Sequence, residues 1–245
     1  MKFIILGSGP GAPSLDKHLS SIYVDLPEVK LLFDCGDGTY RRLLEHQITK
    51  DHLDAIIISH YHPDHICGIF MVLQMLYLEG RTKPLHLFLP ERPAAFLDIL
   101  HTFYTFEQKF AFNLKIHLVE EIELYYPIVT AAINDHLCGY EPIIKSLNLP
   151  NAMQSYSFKI ATDNGALVYS SDIESWECIE PLMNDCHTII VDAIHPKAHT
   201  VLKLERYPHL RILLNHGISA ELEQWLNDNP NSRFVFTQEN LEYHI

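Results

Sequence analysis

Paired cysteines and long apolar runs are both missing from this sequence of 245 residues. The five cysteines are odd in number and contain no C-x-x-C pair, which excludes a disulfide framework and favours a reducing compartment. No run approaches the roughly 18 apolar residues of a membrane span, and the apolar stretch that opens the sequence is too short for a signal peptide. We therefore expect a soluble, cytoplasmic protein that does not enter a membrane.

Positive charge is scarce as well. Only 18 Lys and Arg stand against 31 Asp and Glu, which gives a formal net charge of −13. A surface of that sign repels phosphate backbones at long range, so broad nucleic-acid binding is not expected. Glycine and proline are few and dispersed, while apolar residues make up 47% of the chain. We expect residues 1–245 to form a single domain with no disordered part.

Short β-type runs alternate with helical stretches, a pattern typical of two sheets packed face to face with helices outside. A buried strand is predicted at residues 53–59 and a helix at residues 68–80, so the residues between them form a strand-to-helix turn. Further along, residues 155–161 and 166–172 are predicted to form a hairpin, and residues 175–183 a helix.

Histidine and aspartate are concentrated on that strand-to-helix turn. The sequence H-Y-H-P-D-H puts four ligand-type side chains into six positions, a density of imidazole that neither core packing nor turn chemistry requires. Three more residues of the same two types follow the carboxyl ends of other predicted strands. The candidate metal ligands are His60, His62, Asp64, His65, His136, Asp172 and His216.

A pair of divalent ions explains these residue types. Neutral imidazoles bind borderline divalent ions, and a carboxylate with two oxygens can bridge ions about 4 Å apart. The alternation in H-x-H-x-D-H directs two imidazoles to one ion, and Asp64 with His65 to the other. A water between the ions is acidified to a pKa of about 7 and supplies hydroxide at neutral pH. We expect His136 to complete the first site, His216 the second, and Asp172 to bridge them.

The same segments resemble the metallo-β-lactamase superfamily. The motif HYHPDH is similar to its metal-binding signature, and FIILGSGPGAP with LLFDCGDGTYRRLLEH looks like the opening of its ribonuclease Z-like branch. The resemblance continues through SYSFKIATDNGALVYSSDI and RILLNHGIS. It implies an α/β fold, a four-layer αββα sandwich, with a dinuclear metal site between the sheets at one edge. The implied cofactors are two divalent ions, with zinc as the first choice and manganese or iron as alternatives.

Departures from ribonuclease Z point to a smaller substrate. The basic arm with which ribonuclease Z grips transfer RNA has no counterpart between residues 155 and 171. The H-E-A-T segment of the branch is represented by V-D-A-I, so Val191 replaces a histidine and Asp192 stands in place of Glu. The stretch after it looks like the small phosphodiesterases of the branch. In that comparison His199, with His195 as the second choice, would protonate the leaving alkoxide.

Two glycine-containing segments receive structural interpretations. No helix follows GSGPGA, so its glycines are interpreted as turn formers rather than as a dinucleotide site. The segment FDCGDG is interpreted as a turn that supports the metal ligands. Residues 137–154 are expected to form one wall of the substrate pocket.

The residues and the resemblance together predict a metal-dependent hydrolase that cleaves a phosphodiester in a small phosphate-ester substrate. Asp64 and His199 are its predicted catalytic residues. Four alternatives stay open: ribonuclease Z-like RNA processing, hydrolysis of a lactone or thioester, oxidation at a single iron, and a binding module without turnover. A homodimer is among the expected assemblies.

Overall fold

The computed structural model describes residues 1–245, which form two compact units. The first unit contains Met1–Glu121 together with Glu239–His244, and the second contains Ile122–Gln238 and Ile245. A single domain over the whole chain therefore stays a prediction. None of the helices combines the length and the apolar character that crossing a bilayer requires.

The first unit contains a seven-stranded mixed sheet. Its strands are β1 (Lys2–Gly7), β2 (Ser21–Asp25), β3 (Lys30–Phe33), β4 (Ala55–Ile57), β5 (Leu85–Leu89), β6 (Leu114–Leu118) and β13 (Glu242–His244). Its helices are α1 (Thr39–Glu45), α2 (Pro63–Ile66), α3 (Ile69–Leu78) and α4 (Pro93–Thr102). The strand order is β13-β1-β2-β3-β4-β5-β6. The pairs between β3 and β6 are parallel and the others are antiparallel.

Alternation of apolar side chains explains why these strands pack as they do. Successive strand residues point to opposite faces of a sheet. Ile4 and Leu6 of β1 lie in one cluster with Leu32 of β3, and Val72 and Leu76 of α3 pack into the same cluster. All five side chains are buried. Helix α3 therefore covers one face of the first sheet.

Two glycines let the turn after β3 pass close to the start of α3. A Cβ at Gly68 would lie 2.0 Å from the backbone oxygen of Gly36, and a Cβ at Gly36 would lie 2.3 Å from the backbone oxygen of Asp64. The Gly68 N–H donates to the Cys35 carbonyl at 2.8 Å. No side chain fits at either glycine, so close backbone contact fixes the FDCGDG turn against the predicted ligand turn.

The second unit contains a six-stranded sheet. Its strands are β7 (Val129–Ile133), β8 (Tyr156–Thr162), β9 (Gly165–Tyr169), β10 (Cys186–Asp192), β11 (Arg211–Asn215) and β12 (Phe234–Phe236). Its helices are α5 (Ile122–Tyr125), α6 (Glu141–Leu147), α7 (Ala198–Leu202) and α8 (Ala220–Asp228). The order is β12-β11-β10-β9-β8-β7, with parallel pairing from β12 to β9 and antiparallel pairing for the rest.

Helix α8 packs onto the second sheet through its apolar stripe. Leu222 is fully buried in a cluster with Ile212 and Leu214 of β11. The hydroxyl of Ser219 accepts a hydrogen bond from the Leu222 N–H at 3.3 Å, which satisfies one of the free donors at the helix start. The sequence therefore defines both the beginning of α8 and the face that it buries.

The predicted hairpin is confirmed, whereas the predicted helix at 175–183 is wrong. Strands β8 and β9 pair with Thr162 opposite Gly165, which leaves a two-residue connection. In the second segment only Glu180–Met183 is helical, and it is a 3-10 helix. The Asp135 carboxylate accepts hydrogen bonds from the backbone N–H groups of Glu174 and Ser175, at 2.9 and 3.3 Å. These bonds hold the start of the segment in a turn.

Candidate metal centre

The first unit gathers four of the predicted ligands on the turn after β4. His60 and His65 are completely buried, and Asp64 is nearly so. The ring of His60 lies 4.7 Å from that of His62 and 4.1 Å from that of His65, measured between centroids. Pro63 starts α2, where its fixed φ suits the first helical position. The helical turn puts Asp64 Oδ2 3.5 Å from His65 Nε2.

A buried carboxylate at the end of β3 orients His65. Asp34 Oδ2 lies 2.7 Å from His65 Nδ1, and neither side chain has any exposed surface. An ionised carboxylate only accepts hydrogen bonds, so Nδ1 carries the proton and donates it. The lone pair of a neutral His65 then lies on Nε2. This is the arrangement in which protein carboxylates commonly prepare a histidine for a metal ion.

Ser59 extends the same network to His60. Its N–H donates to Asp34 Oδ1 at 2.8 Å, and its hydroxyl donates to Asp34 Oδ2 at 3.0 Å. The Ser59 oxygen also lies 3.0 Å from His60 Nδ1, from which it accepts. One buried carboxylate therefore fixes two imidazoles so that both direct Nε2 away from the network.

The second unit gathers three more predicted ligands at the carboxyl ends of its strands. Asp172 follows β9, His216 follows β11, and His136 follows β7. These strands run in the same direction, so their carboxyl ends lie at one edge of the sheet. Asp172 Oδ2 is 3.2 Å from His216 Nε2 and 3.5 Å from His136 Nε2. All three side chains are buried.

A fourth side chain, His195, joins this second group. Its Nδ1 lies 2.9 Å from Asp192 Oδ2 and 3.6 Å from Asp172 Oδ2. Its ring centroid is 4.8 Å from that of His136 and 5.4 Å from that of His216. Burial by itself lowers the pKa of His195, but the hydrogen bond and negative charge of Asp192, with the charge of Asp172, outweigh burial and raise the pKa to about 9.

Backbone conformation marks the same strand ends. Asp34, Ser171 and His216 have φ angles of 57°, 51° and 63°, in the left-handed region that residues other than glycine seldom adopt. Each follows the carboxyl end of a central strand, and each either belongs to a His/Asp group or precedes a member of one. Such conformations persist where the surroundings determine them, and they concentrate at functional sites.

The structure places the predicted site residues in two groups, one in each unit. The predicted catalytic residue His199 lies outside the group of the second unit. It is an exposed residue of α7, and it forms no ion pair with Asp172 or Asp192. His195, rather than His199, lies in the group around Asp172. The sequence contained a signal for this residue, because Asp192 occupies the position of the H-E-A-T glutamate. The catalytic role of His199 stays a prediction.

The segment expected to line the pocket is largely exposed. His136–Tyr140 form a 3-10 helix, and helix α6 follows it. Residues 148–152, which come after α6, are exposed as well. Its function as a pocket wall stays a prediction. The buried carboxylate of Asp34 agrees with the supporting function that the sequence predicts for the FDCGDG turn.

The donor groups fit a divalent transition metal. Imidazole nitrogens bind zinc, copper, iron and nickel, and carboxylate oxygens extend the range to manganese. The first unit offers three imidazoles and one carboxylate on a single turn, and the second offers two imidazoles beside Asp172. Clustered side chains of these types suggest binding of divalent metal. Zinc, manganese and iron can each be bound by side chains of these two types.

Solved structures define the class of this protein. YhfI from Bacillus subtilis, a metallo-beta-lactamase fold protein, matches with a TM-score of 0.75 at 17% identity, over 99% of this chain and 98% of its own. A diphosphatase from the PhnP family matches with a TM-score of 0.69 at 18% identity, over 100% of this chain and 97% of its own. The chain is a metallo-β-lactamase-fold protein, and the predicted fold class is confirmed.

Sequence relatives narrow the class. The family model described as Anti-Pycsar protein Apyc1 matches residues 1–240, and the chain belongs to that family. The ribonuclease Z of Methanococcus aeolicus is 27% identical over 198 residues, which cover 71% of this chain and 61% of that relative's length. The predicted resemblance to the ribonuclease Z-like branch is confirmed, and the predicted class of metal-dependent hydrolase agrees with these relatives.

One expectation from the net charge is in partial conflict with the relatives. Ribonuclease Z acts on RNA, so a negative net charge does not by itself separate this branch from nucleic-acid substrates. The names of the ribonuclease Z and the diphosphatase have in common that each denotes cleavage at a phosphate linkage.

Proposed function

We propose that the chain is a hydrolase that cleaves a phosphodiester in a small substrate with the help of two divalent ions. In this proposal His60, His62 and His136 bind one ion, Asp64, His65 and His216 bind the other, and Asp172 binds both. The observation that carries the proposal is the position of the His and Asp side chains, which gather at the carboxyl ends of central strands in each unit.

The chain's own residues prepare the reaction by fixing ligands before a substrate arrives. When bound, the ions would supply an acidified water as nucleophile and positive charge for a phosphoryl oxygen. Asp34 and Ser59 hold the imidazoles of His60 and His65 in one orientation, so little rearrangement is needed on binding. Asp64 is proposed to act in catalysis as well as in binding.

Departure of the alkoxide needs a proton, and two histidines are candidates for its source. His199 is the residue that the resemblance indicates. The position of His195 beside Asp172 favours it as the second candidate, because Asp192 holds its Nδ1 and leaves Nε2 to point elsewhere.

The connection between β8 and β9 supports a small substrate rather than transfer RNA. Only two residues connect these strands, so no basic arm is present in this stretch, where the resemblance would place one. The net charge of −13 points the same way. The relatives named ribonuclease Z keep RNA processing as the second candidate, and the experiment below includes it.

Metal analysis followed by a substrate panel tests the proposal. Purified protein loaded with zinc, manganese or iron is assayed on bis(p-nitrophenyl) phosphate, a set of cyclic phosphodiesters, a precursor transfer RNA, a lactone and a thioester. We expect two bound ions and hydrolysis of the small phosphodiesters. His62→Ala should abolish that activity in a folded protein, whereas His244→Ala, which alters an exposed histidine of β13, should leave it unchanged.

Different results would favour the alternatives. Cleavage of precursor transfer RNA alone would favour RNA processing, and one bound iron would favour oxidation. Hydrolysis confined to the lactone or the thioester would favour the carbonyl-hydrolase alternative. A fully metal-loaded protein that is inert on every substrate of the panel would contradict the proposal.

A further inference from the structure

The loop between β1 and β2, residues 8–18, has its two ends held together. The Gly9 N–H donates to the His18 carbonyl at 2.8 Å, which closes the loop at its base. Residues 11–16 are exposed, and the Leu15 side chain is completely so. A loop with little secondary structure of its own has many accessible conformations. Its single position therefore depends on what holds its base.

Glu239 joins both ends of the β1–β2 loop. One carboxylate oxygen, Oε1, accepts from the Ser8 N–H at 3.0 Å, the Ser8 hydroxyl at 3.2 Å and the His18 N–H at 3.0 Å. The other oxygen, Oε2, lies 2.8 Å from His18 Nδ1. The Glu239 side chain is only 13% exposed. Hydrogen bonds to an ionised group are shorter and stronger than neutral ones, so this carboxylate is a firm anchor.

The anchored loop lies against a predicted metal ligand. A Cβ at Gly11 would be 3.3 Å from Asp64 Oδ2, 3.5 Å from its carboxyl carbon and 3.7 Å from Oδ1. Gly11 thus lies beside the carboxylate, and we expect it to limit how far the carboxylate can rotate. Gly11 has no positive φ, so its importance here lies in the space that it leaves for Asp64 rather than in an unusual conformation.

We propose that Glu239 is a positioning residue, which holds the β1–β2 loop so that Gly11 keeps the Asp64 carboxylate in its metal-binding orientation. This inference rests on the proposed function, because it takes Asp64 as a ligand. The hydrogen bonds of Glu239 are to Ser8 and His18 and not to any of the predicted metal ligands. It acts through the loop, from a segment that follows the second unit in the sequence. Without this carboxylate, the loop gains conformational freedom and Asp64 gains rotamers that do not point at the ion.

Titration with Co²⁺, followed by visible absorption, tests this function without any measurement of turnover. We expect Glu239→Ala to weaken the binding of one of two Co²⁺ ions about tenfold and to change its absorption band, in line with other residues that orient ligands. Glu239→Gln should recover most of the affinity. Its amide oxygen can accept the same three hydrogen bonds, and its amide nitrogen can donate to the other tautomer of His18.

Glu242→Ala is the matched control. It removes an exposed carboxylate from the same C-terminal segment, where Glu242 pairs with Lys2 at 3.3 Å. Its Co²⁺ affinity should stay within about twofold of wild type, because this surface ion pair contributes little. If Glu239→Ala does not fold, Gly11→Ala tests the same contact from the loop. The added methyl group presses on the Asp64 carboxylate, and a similar loss of Co²⁺ affinity is expected.

Three results would overturn the inference. The first is a folded Glu239→Ala protein that loses thermal stability but binds both ions as wild type does, since the function would then be structural only. The second is unchanged binding in Gly11→Ala. The third is wild-type protein that binds no Co²⁺, which would overturn the proposed function as well. Wild type that binds two Co²⁺ ions but hydrolyses no phosphodiester contradicts the proposed reaction alone, and Glu239 is then judged on Co²⁺ affinity.

Discussion

Replacement of Asp34 by Asn would reverse the tautomer of His65. If the new amide oxygen keeps the hydrogen bond from the Ser59 N–H, the amide nitrogen takes the place of Oδ2, 2.7 Å from His65 Nδ1. An amide nitrogen can only donate, so it requires an unprotonated Nδ1 and drives the proton to Nε2. A histidine protonated on Nε2 cannot bind a metal through that atom. The Asp34→Asn variant therefore has the shape of wild type and an incorrectly protonated ligand.

The expected loss can be estimated from the same contacts. Removal of a group that orients a ligand lowers metal affinity by about 10- to 100-fold, which corresponds to roughly 1.4–2.8 kcal/mol. The upper part of that range is expected here, since the pair of Asp34 and His65 is fully buried and water cannot replace the carboxylate. The metal-free protein should also become less stable by about 1–2 kcal/mol, because Ser59 loses bonds to a charged acceptor.

Competition with a coloured chelator measures the zinc affinity, and long-range nitrogen–proton NMR reports which nitrogen of His65 carries the proton. Asp51→Asn is the control, because it removes an exposed carboxylate of the same unit. The reasoning is refuted if folded Asp34→Asn binds zinc as tightly as wild type does and His65 is still protonated on Nδ1.

Three further predictions follow from other features. His195→Ala should lower kcat at least tenfold, whereas His199→Ala should change it less than threefold, because of these two histidines only His195 contacts the group around Asp172. Steady-state kinetics on a phosphodiester measures both effects. A larger loss in His199→Ala than in His195→Ala would support His199 as the catalytic residue, as the resemblance predicts. Gly68→Ala should destabilise the fold by about 3 kcal/mol or more in urea unfolding, since a Cβ there would lie 2.0 Å from a backbone oxygen, and a loss below about 1 kcal/mol would contradict this. Burial lowers the pKa of both His86 and His117 in the folded protein. Their contribution to folding stability is therefore complete above the pKa of about 6.5 that histidine has in the unfolded chain, and it is lost as the pH falls below that value. Urea midpoints at pH 7.5 and 5.5 should show that loss, and less of it in His117→Phe.

The ligand turn could be predicted because its signal is local. Strand β4 is a run of apolar, mostly β-branched residues that ends at a polar turn, and helix α3 begins twelve residues after the strand ends. The end of the strand and the start of the helix can therefore both be predicted from residues that are close together in the sequence. The carboxyl ends of β9 and β11 carry the same kind of signal, an apolar run followed within three residues by Asp or His.

Contacts between distant residues could not be predicted in this way. The turn at 174–175 depends on Asp135, some forty positions earlier, and a pattern that looked helical gave way to it. Glu239 is more remote still from the loop that it anchors, and an isolated glutamate near a C-terminal strand has no distinguishing pattern. The pairing of His195 with Asp192 was missed because His195 lies in the loop after β10, where spacing does not determine the direction of a side chain.

Strand β13 and Glu239 also determine when the first unit can fold completely during translation. The first unit needs residues that the ribosome adds only after the whole second unit, residues 122–238, has been made. Until then the outer edge of β1 is without its neighbour, and an open strand edge is a template for aggregation. A nascent chain that stalls before strand β13 has been made therefore carries an unprotected edge at β1.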